Sequence, residues 1–137
     1  MVSSYLGRSC PPPSDRWLAA QRTTTAEEQR RADGLARSRG RFTRNFVVQS
    51  TAAEWALCWL AELRRRLRAC AAEGTSVGDM VFFLHDEVML HVHEDRTDVA
   101  RRLVEESAAA ATRLVFGRIP VEFPVSVAVV DSYADAK

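Results

Sequence analysis

The sequence predicts an α+β fold in which a small antiparallel sheet packs against two long helices. Two apolar runs, residues 80–84 and 88–90, are separated by only three polar residues, which is typical of a β-hairpin. Apolar residues recur at helical spacing on both sides of this hairpin. A last apolar segment, residues 121–130, is expected to add a strand to the sheet. The α+β class follows from the order of the elements, which is helix, hairpin, helix and strand.

Residues 1–40 are predicted to form a basic connector, and residues 41–137 a separate subdomain. The connector begins with a short extended piece that ends at Gly7, and the prolines at 11–13 form a turn or a polyproline segment. Residues 15–40 are charged and have a weak apolar stripe. They are therefore expected to be a poorly packed helix or a flexible loop.

The first long helix is expected to start at the capping box Thr51–Glu54 and to end near Gly74. Its apolar stripe consists of Trp55, Trp59, Leu60, Leu63 and Leu67. The hairpin then fills about residues 79–92, and a second long helix follows at about 96–115. The stripe of that helix consists of Val99, Leu103, Ser107, Ala111 and Leu114.

Length and composition indicate a single soluble globular domain. The chain has 137 residues, of which 47% are hydrophobic and 27% charged. No apolar run approaches the ~20 residues of a membrane span, and the N-terminus lacks a signal-peptide pattern. A cytoplasmic protein without a membrane partner is therefore expected. None of Cys10, Cys58 and Cys70 has metal-like spacing, and the latter two are predicted to be small core residues.

Basic residues are concentrated at the start of the chain. Residues 1–50 contain nine arginines and four acidic residues, although the net charge of the whole chain is only +1. This excess suits a phosphate-rich partner. A solvated arginine-rich face explains it equally well.

The tip of the hairpin carries His85, Asp86 and Glu87. Adjacent carboxylates repel each other, and this cost is usually tolerated where a cation compensates it. Mg²⁺ prefers oxygen ligands and keeps several waters, so that one or two carboxylates plus substrate phosphates suffice. The tip therefore predicts a divalent-metal site with Asp86 as a ligand. The alternative is a polar turn with solvated acids.

Two further groups carry possible chemistry. His91 and His93 could bind a transition metal, but no third ligand is evident. Arg41, Asn45 and Gln49 are spaced by four and would form one polar stripe on a helix. Such donors suit the minor groove of DNA, where every base pair presents N3 or O2 acceptors. An ordinary polar helix face is the alternative, and the β-branched residues that follow Phe46 weaken the helix prediction.

Taken together, these motifs resemble the C-terminal palm of family A DNA polymerases, the class of bacterial DNA polymerase I. The resemblance is carried by Arg-x-x-x-Asn-x-x-x-Gln-x-Thr-Ala-Ala-Glu at 41–54, then a helix, then His85-Asp86-Glu87 between apolar runs. Residues 2–8 and 131–135 look like the flanks of the same region. The resemblance implies template-directed nucleotidyl transfer to a primer 3′-hydroxyl with two Mg²⁺ ions, or Mn²⁺.

The resemblance also implies roles for individual residues. Asp86 would be the second catalytic metal ligand, Glu87 an auxiliary acid, and His85 a neighbour of the primer end. The resemblance places the polar stripe Arg41, Asn45 and Gln49 at the minor groove of primer–template DNA. Ser50 stands where the family usually has glycine.

Several parts of such a polymerase have no counterpart in this sequence. Nothing resembles the first carboxylate motif, the fingers helix that binds the incoming deoxynucleoside triphosphate, the thumb or an exonuclease domain. The chain is therefore expected to carry half of the metal site and to be inactive without the remainder of the polymerase. Two alternatives are a DNA-binding module without catalysis and a small metal-binding scaffold that uses His85, His91 and His93.

Overall fold

The computed structural model describes residues 2–136 and confirms the α+β class. The elements of this part of the chain are α1 (Asp15–Ala19), α2 (Ala26–Ala72), β1 (Gly78–Leu84), β2 (Glu87–Val92) and α3 (Thr97–Phe116). Short 3₁₀ turns precede α3 at Glu94–Arg96 and follow it at Tyr133–Asp135. The described residues form two compact units, one ending at Ala52 and the other beginning at Ala53. The boundary predicted at residues 40 and 41 lies inside α2, within the first unit.

The start of α2 differs from the prediction. The helix begins at Ala26 because Thr25 and Glu28 form a reciprocal capping box. The backbone N–H of Glu28 donates to Oγ1 of Thr25, and Oε2 of Glu28 accepts from the N–H of Thr25, at 3.2 and 3.1 Å. The capping box predicted at Thr51 is wrong, since Thr51 lies in the helix interior and its hydroxyl donates to the carbonyl of Val47.

The core of the second unit lies between α2 and α3. The helix α2 contributes Trp59, Leu63 and Leu67, all of which are buried as predicted. The buried face of α3 consists of Ala100, Leu103, Val104, Ser107, Ala108, Ala111 and Val115. Leu114 is 77% exposed, so its place in the predicted stripe was wrong. The buried face advances by 3.6 residues per turn and reaches Val115 instead.

The hairpin covers this core with one face. β1 and β2 pair antiparallel from Gly78–Val92 to Leu84–Glu87, with an irregularity between Met80 and Phe82. The partly buried side chains that pack against the core are Met80, Val88, Leu90 and Val92. Four successive apolar side chains at the end of β1 are nevertheless exposed: Val81, Phe82, Phe83 and Leu84.

The strand predicted at residues 121–130 is not formed. This segment is irregular, and the sheet of the described chain has two strands. Pro120 and Pro124 lack the N–H groups that a ladder needs. The carbonyl of Val127 instead accepts a hydrogen bond from Nη1 of Arg101 at 2.9 Å. Val125 and Val127 still pack against the core, so the segment covers apolar surface without pairing.

An ion-pair network joins the two long helices within the second unit. Nε of Arg66 lies 2.9 Å from Oε1 of Glu62 on α2, and Nη1 of Arg66 lies 2.6 Å from Oε2 of Glu106 on α3. Hydrogen bonds from Arg65, and then from Arg66, lower the pKa of the Glu62 carboxyl from 4.5 to about 2.

This network predicts a contribution to stability that acid removes. The stabilisation by Glu62 is complete above about pH 4.5 and is lost as the pH falls to about 2. Glu62→Gln is expected to lower the free energy of unfolding at neutral pH by at most about 1 kcal/mol, because water still reaches the pair. Urea melts across this pH range should show a smaller acid-induced loss in the variant than in the wild type. Equal losses would contradict the assignment.

Among the described residues, no helix combines the length and the apolar content that crossing a membrane requires.

Candidate functional site

The predicted tip residues occupy a tight turn of the hairpin. Leu84 pairs with Glu87, so His85 and Asp86 are the two residues of the turn. His85 has a φ of +55°, in the left-handed region that residues other than glycine seldom adopt and in which histidine is enriched. All three tip residues are exposed. The two paired strands therefore hold Asp86 at a defined, solvent-facing position.

Glu87 has a partner that the sequence did not predict. The hydroxyl of Tyr133 donates to Oε2 of Glu87 at 3.0 Å, and the Tyr133 ring lies 6.2 Å from that of Phe82. This hydrogen bond, together with the negative charge of Glu87, raises the pKa of Tyr133. No side-chain hydrogen bond or ion pair within the described chain involves Asp86. Of the two carboxylates, Asp86 is thus the one available to a cation.

The contact between Tyr133 and Glu87 predicts a spectroscopic shift. Glu87→Gln should lower the pKa of Tyr133, because the amide carries no charge that disfavours the tyrosinate. Ultraviolet titration of tyrosinate formation measures this, with Tyr5→Phe as the background because it leaves Tyr133 as the sole tyrosine. An unchanged titration curve in the Glu87→Gln variant would show that the hydrogen bond does not form in solution.

A groove of about 870 Å³ lies beside the tip, within the second unit. Trp55 and Trp59 line it, with their rings stacked at a centroid distance of 5.6 Å. Asp86 and Glu87 belong to its lining, and so does the irregular segment 122–131. The groove therefore has mostly apolar walls with the acidic tip as part of its rim. Such a groove can accept an extended chain next to the carboxylates.

The donor set at the tip fits a hard cation held mainly by other ligands. Among the described residues, no three His, Cys, Asp or Glu side chains converge on a common metal position. His91 lies opposite Asp79 in the sheet, and His93 is exposed where β2 ends. A closed zinc site needs about four protein ligands. Mg²⁺ needs only one or two carboxylates when water and phosphates complete its shell.

The polar stripe Arg41, Asn45 and Gln49 lies on α2, in the first unit. The helix is unbroken there despite its β-branched residues, and all three side chains are exposed. Successive members are four residues apart, so the stripe spans about 80° of the helix circumference. Phe42 and Phe46 are in ring contact at 6.2 Å, on the side of the helix next to the stripe. Val47 and Val48 are 40% and 70% exposed and do not form an apolar backing for the stripe.

Ser50 follows this stripe and is buried. It is 8% exposed, and its hydroxyl has no hydrogen-bond partner within the described chain. The enclosed position explains why a small residue is needed directly after Gln49.

The two predicted sets of site residues belong to different units. His85, Asp86 and Glu87 lie in the second, and the polar stripe lies in the first. Neither a protein-family model nor a curated protein nor a solved structure matches this chain.

Proposed function

We propose that this chain is the C-terminal palm portion of a DNA polymerase of the family A type. The observation that carries the proposal is the tip: an exposed aspartate in a two-residue turn, held by a hairpin whose register is fixed up to the Leu84–Glu87 pair. Phosphoryl transfer demands that metal-binding carboxylates be held within narrow limits, and rigid strands meet that demand better than loops. The unbroken helix that carries the polar stripe is a second support.

In this proposal each group has one task. Asp86 provides a carboxylate for Mg²⁺ or Mn²⁺, and such an ion, when bound, stabilises the developing charge of nucleotidyl transfer. Glu87 is a neighbouring acid oriented by Tyr133. His85 faces the primer end, and the polar stripe donates to the minor-groove edges of primer–template DNA. The incoming deoxynucleoside triphosphate is bound by the remainder of the polymerase.

The isolated chain is expected to bind DNA without extending it. With Mg²⁺, primer–template DNA and four deoxynucleotides, Asp86-dependent synthesis by this chain alone would contradict the proposal, because a two-metal site needs a second aspartate. An upstream reading frame, open or frameshifted, that encodes the missing aspartate motif and fingers helix would support the proposal. We also propose a cytoplasmic location.

The exposed apolar side chains of β1 lead to a second test of the proposal. A palm that lacks its neighbouring strand has an open sheet edge with apolar side chains beside it. Self-association of the isolated chain is therefore expected in sedimentation velocity experiments. A monomer at all concentrations tested would count against a missing strand.

A DNA-binding module without catalysis is the second candidate, and the arginine excess of the first unit favours it. The two candidate functions make different predictions for metal binding by Asp86 at the hairpin tip. Binding of Mn²⁺ can be followed by its electron paramagnetic resonance signal in the presence of primer–template DNA. The polymerase proposal predicts that Asp86→Asn weakens this binding while Asp79→Asn, an exposed strand carboxylate, does not. Equal effects would favour the module.

A further inference from the structure

A basic surface runs along α2 in the first unit and shares Arg41 with the polar stripe. Residues 34–53 are helical over their whole length and contain four arginines and no acidic residue. At 1.5 Å per residue, this stretch is about 30 Å long. It is a segment of uncompensated positive charge inside a chain whose net charge is only +1.

Most of these arginines project from the same side of the helix. With about 100° per residue, Arg37, Arg41 and Arg44 of this stretch and Arg30 before it fall within about 60° of one another. The exposed Asp33 lies beside them, between Arg30 and Arg37, and the four arginines still outnumber this one acid. All four are exposed, and they are named the arginine face. Arg30 and Arg44 are separated by about 21 Å along the helix axis. Arg39 lies on the opposite side.

Most guanidinium groups of the arginine face make no contact inside the protein. Arg39, on the opposite side of the helix, does: it donates to the carbonyl of Pro11 and lies 5.6 Å from the centroid of the Phe42 ring. Nε of Arg30 donates to the carbonyl of Ala26 in its own helix. Within the described chain, the other three side chains of the arginine face make no hydrogen bond or ion pair. Their guanidinium groups are therefore available to an external anion.

The chemistry of this surface favours nucleic acid over a lipid surface. Guanidinium binds phosphate in a planar, bidentate manner, and arginine supplies every positive charge of the surface. The residues between the arginines include Asp33, Gly34 and Ser38. An interfacial helix would instead carry a broad row of large apolar residues that enter the lipid. Arginines in a row on one side of a helix can contact successive phosphates of the duplex backbone without reading base edges.

We propose that the arginine face binds the phosphate backbone of duplex DNA, so that it anchors the chain without reading sequence. The inference rests on the proposed function only in taking DNA as the ligand, and it requires neither Asp86 nor a metal ion. It assigns phosphate contacts to Arg30, Arg37 and Arg44, outside the polar stripe. A bound duplex would extend away from the primer end along α2.

The test compares two triple variants of the full chain. Arg30→Gln, Arg37→Gln and Arg44→Gln remove three charges from the arginine face. Arg64→Gln, Arg68→Gln and Arg102→Gln remove three exposed helical arginines of the second unit and serve as the control. Fluorescence anisotropy with a blunt duplex, titrated between about 50 and 200 mM salt, gives the affinity and its salt slope. Circular dichroism confirms that both variants are folded.

The triple variant of the arginine face is expected to bind the duplex about tenfold or more weakly than the wild type. Its slope of log K against log salt is expected to be smaller by about 2.7, since three phosphate contacts are lost. The control is expected to keep the wild-type slope. Equal losses in both variants, or an unchanged slope in the face variant, would overturn the inference. Binding to vesicles of phosphatidylserine and phosphatidylcholine without binding to the duplex would also overturn it. The titrations are made with a chelator and without divalent metal, so their outcome does not depend on the metal site of the proposed polymerase, whose failure is recognised separately in the Mn²⁺ experiment.

Discussion

Replacing Trp59 by alanine is expected to lower the free energy of unfolding by about 3–5 kcal/mol. The Trp59 side chain is 3% exposed and lies at the centre of the core of the second unit. Its ring stacks on Trp55, and its indole N–H donates to the carbonyl of Val104 at 3.3 Å. The truncation removes this packing and leaves a cavity under the hairpin. Since typical domains are stable by only about 5–15 kcal/mol, this truncation would remove a large part of the stability.

Urea titration followed by circular dichroism measures this loss. Leu57→Ala is the matched control, because Leu57 lies on the same helix and is 53% exposed. The control is expected to change stability by less than about 1 kcal/mol. If the Trp59→Ala variant were destabilised no more than the control, Trp59 would not be buried in a core between α2 and α3.

The second large effect is expected at Gly78, where β1 begins. Gly78 has a φ of +146°, and a Cβ atom there would lie 2.2 Å from the carbonyl oxygen of His91 and 2.6 Å from Cα of Val92. Both atoms belong to the backbone of the partner strand, so the contact can be relieved only by displacing β2. Gly78→Ala should therefore cost about 2–3 kcal/mol and disturb the register that positions the tip.

Gly74→Ala is the control for this variant. Gly74 also has a positive φ, +75°, but a Cβ atom there would meet no other atom within 4 Å. Its cost should be limited to backbone strain of about 1 kcal/mol. Hydrogen exchange of the β1 and β2 amides should accelerate in Gly78→Ala and not in Gly74→Ala. Equal exchange in both variants would show that the close approach of the strands is absent in solution.

The sequence allowed the fold class to be predicted because its signals were local. The hairpin and α3 were located within one or two residues, since each has a regular apolar period. The start of α2 was misplaced because the capping-box sequence pattern stands at Thr51 as well as at Thr25, where the capping box forms, and the weak apolar stripe before residue 41 hid the earlier start. The predicted last strand failed because two prolines outweighed a run of valines.

The candidate site was predictable only in part, for a similar reason. The tip could be recognised because three adjacent polar residues separate two apolar runs. Its contact with Tyr133 joins residues 46 positions apart, and no spacing rule connects them. The arginine face became visible once α2 was known to be one continuous helix from Ala26, because only then do Arg30 and Arg44 share a helix surface. Residue types were readable from sequence, but their grouping in space required the structure.

We propose that Asp86 holds a divalent cation next to a primer terminus. Fe²⁺ can replace Mg²⁺ at such a site and, with peroxide and ascorbate, cleaves the DNA nearest to it. On primer–template DNA with a labelled primer, the proposal predicts cleavage within a few nucleotides of the 3′ end that is suppressed by excess Mg²⁺ and lost in Asp86→Asn. Cleavage spread evenly along the primer, or the same pattern in Asp86→Asn, would contradict the claim.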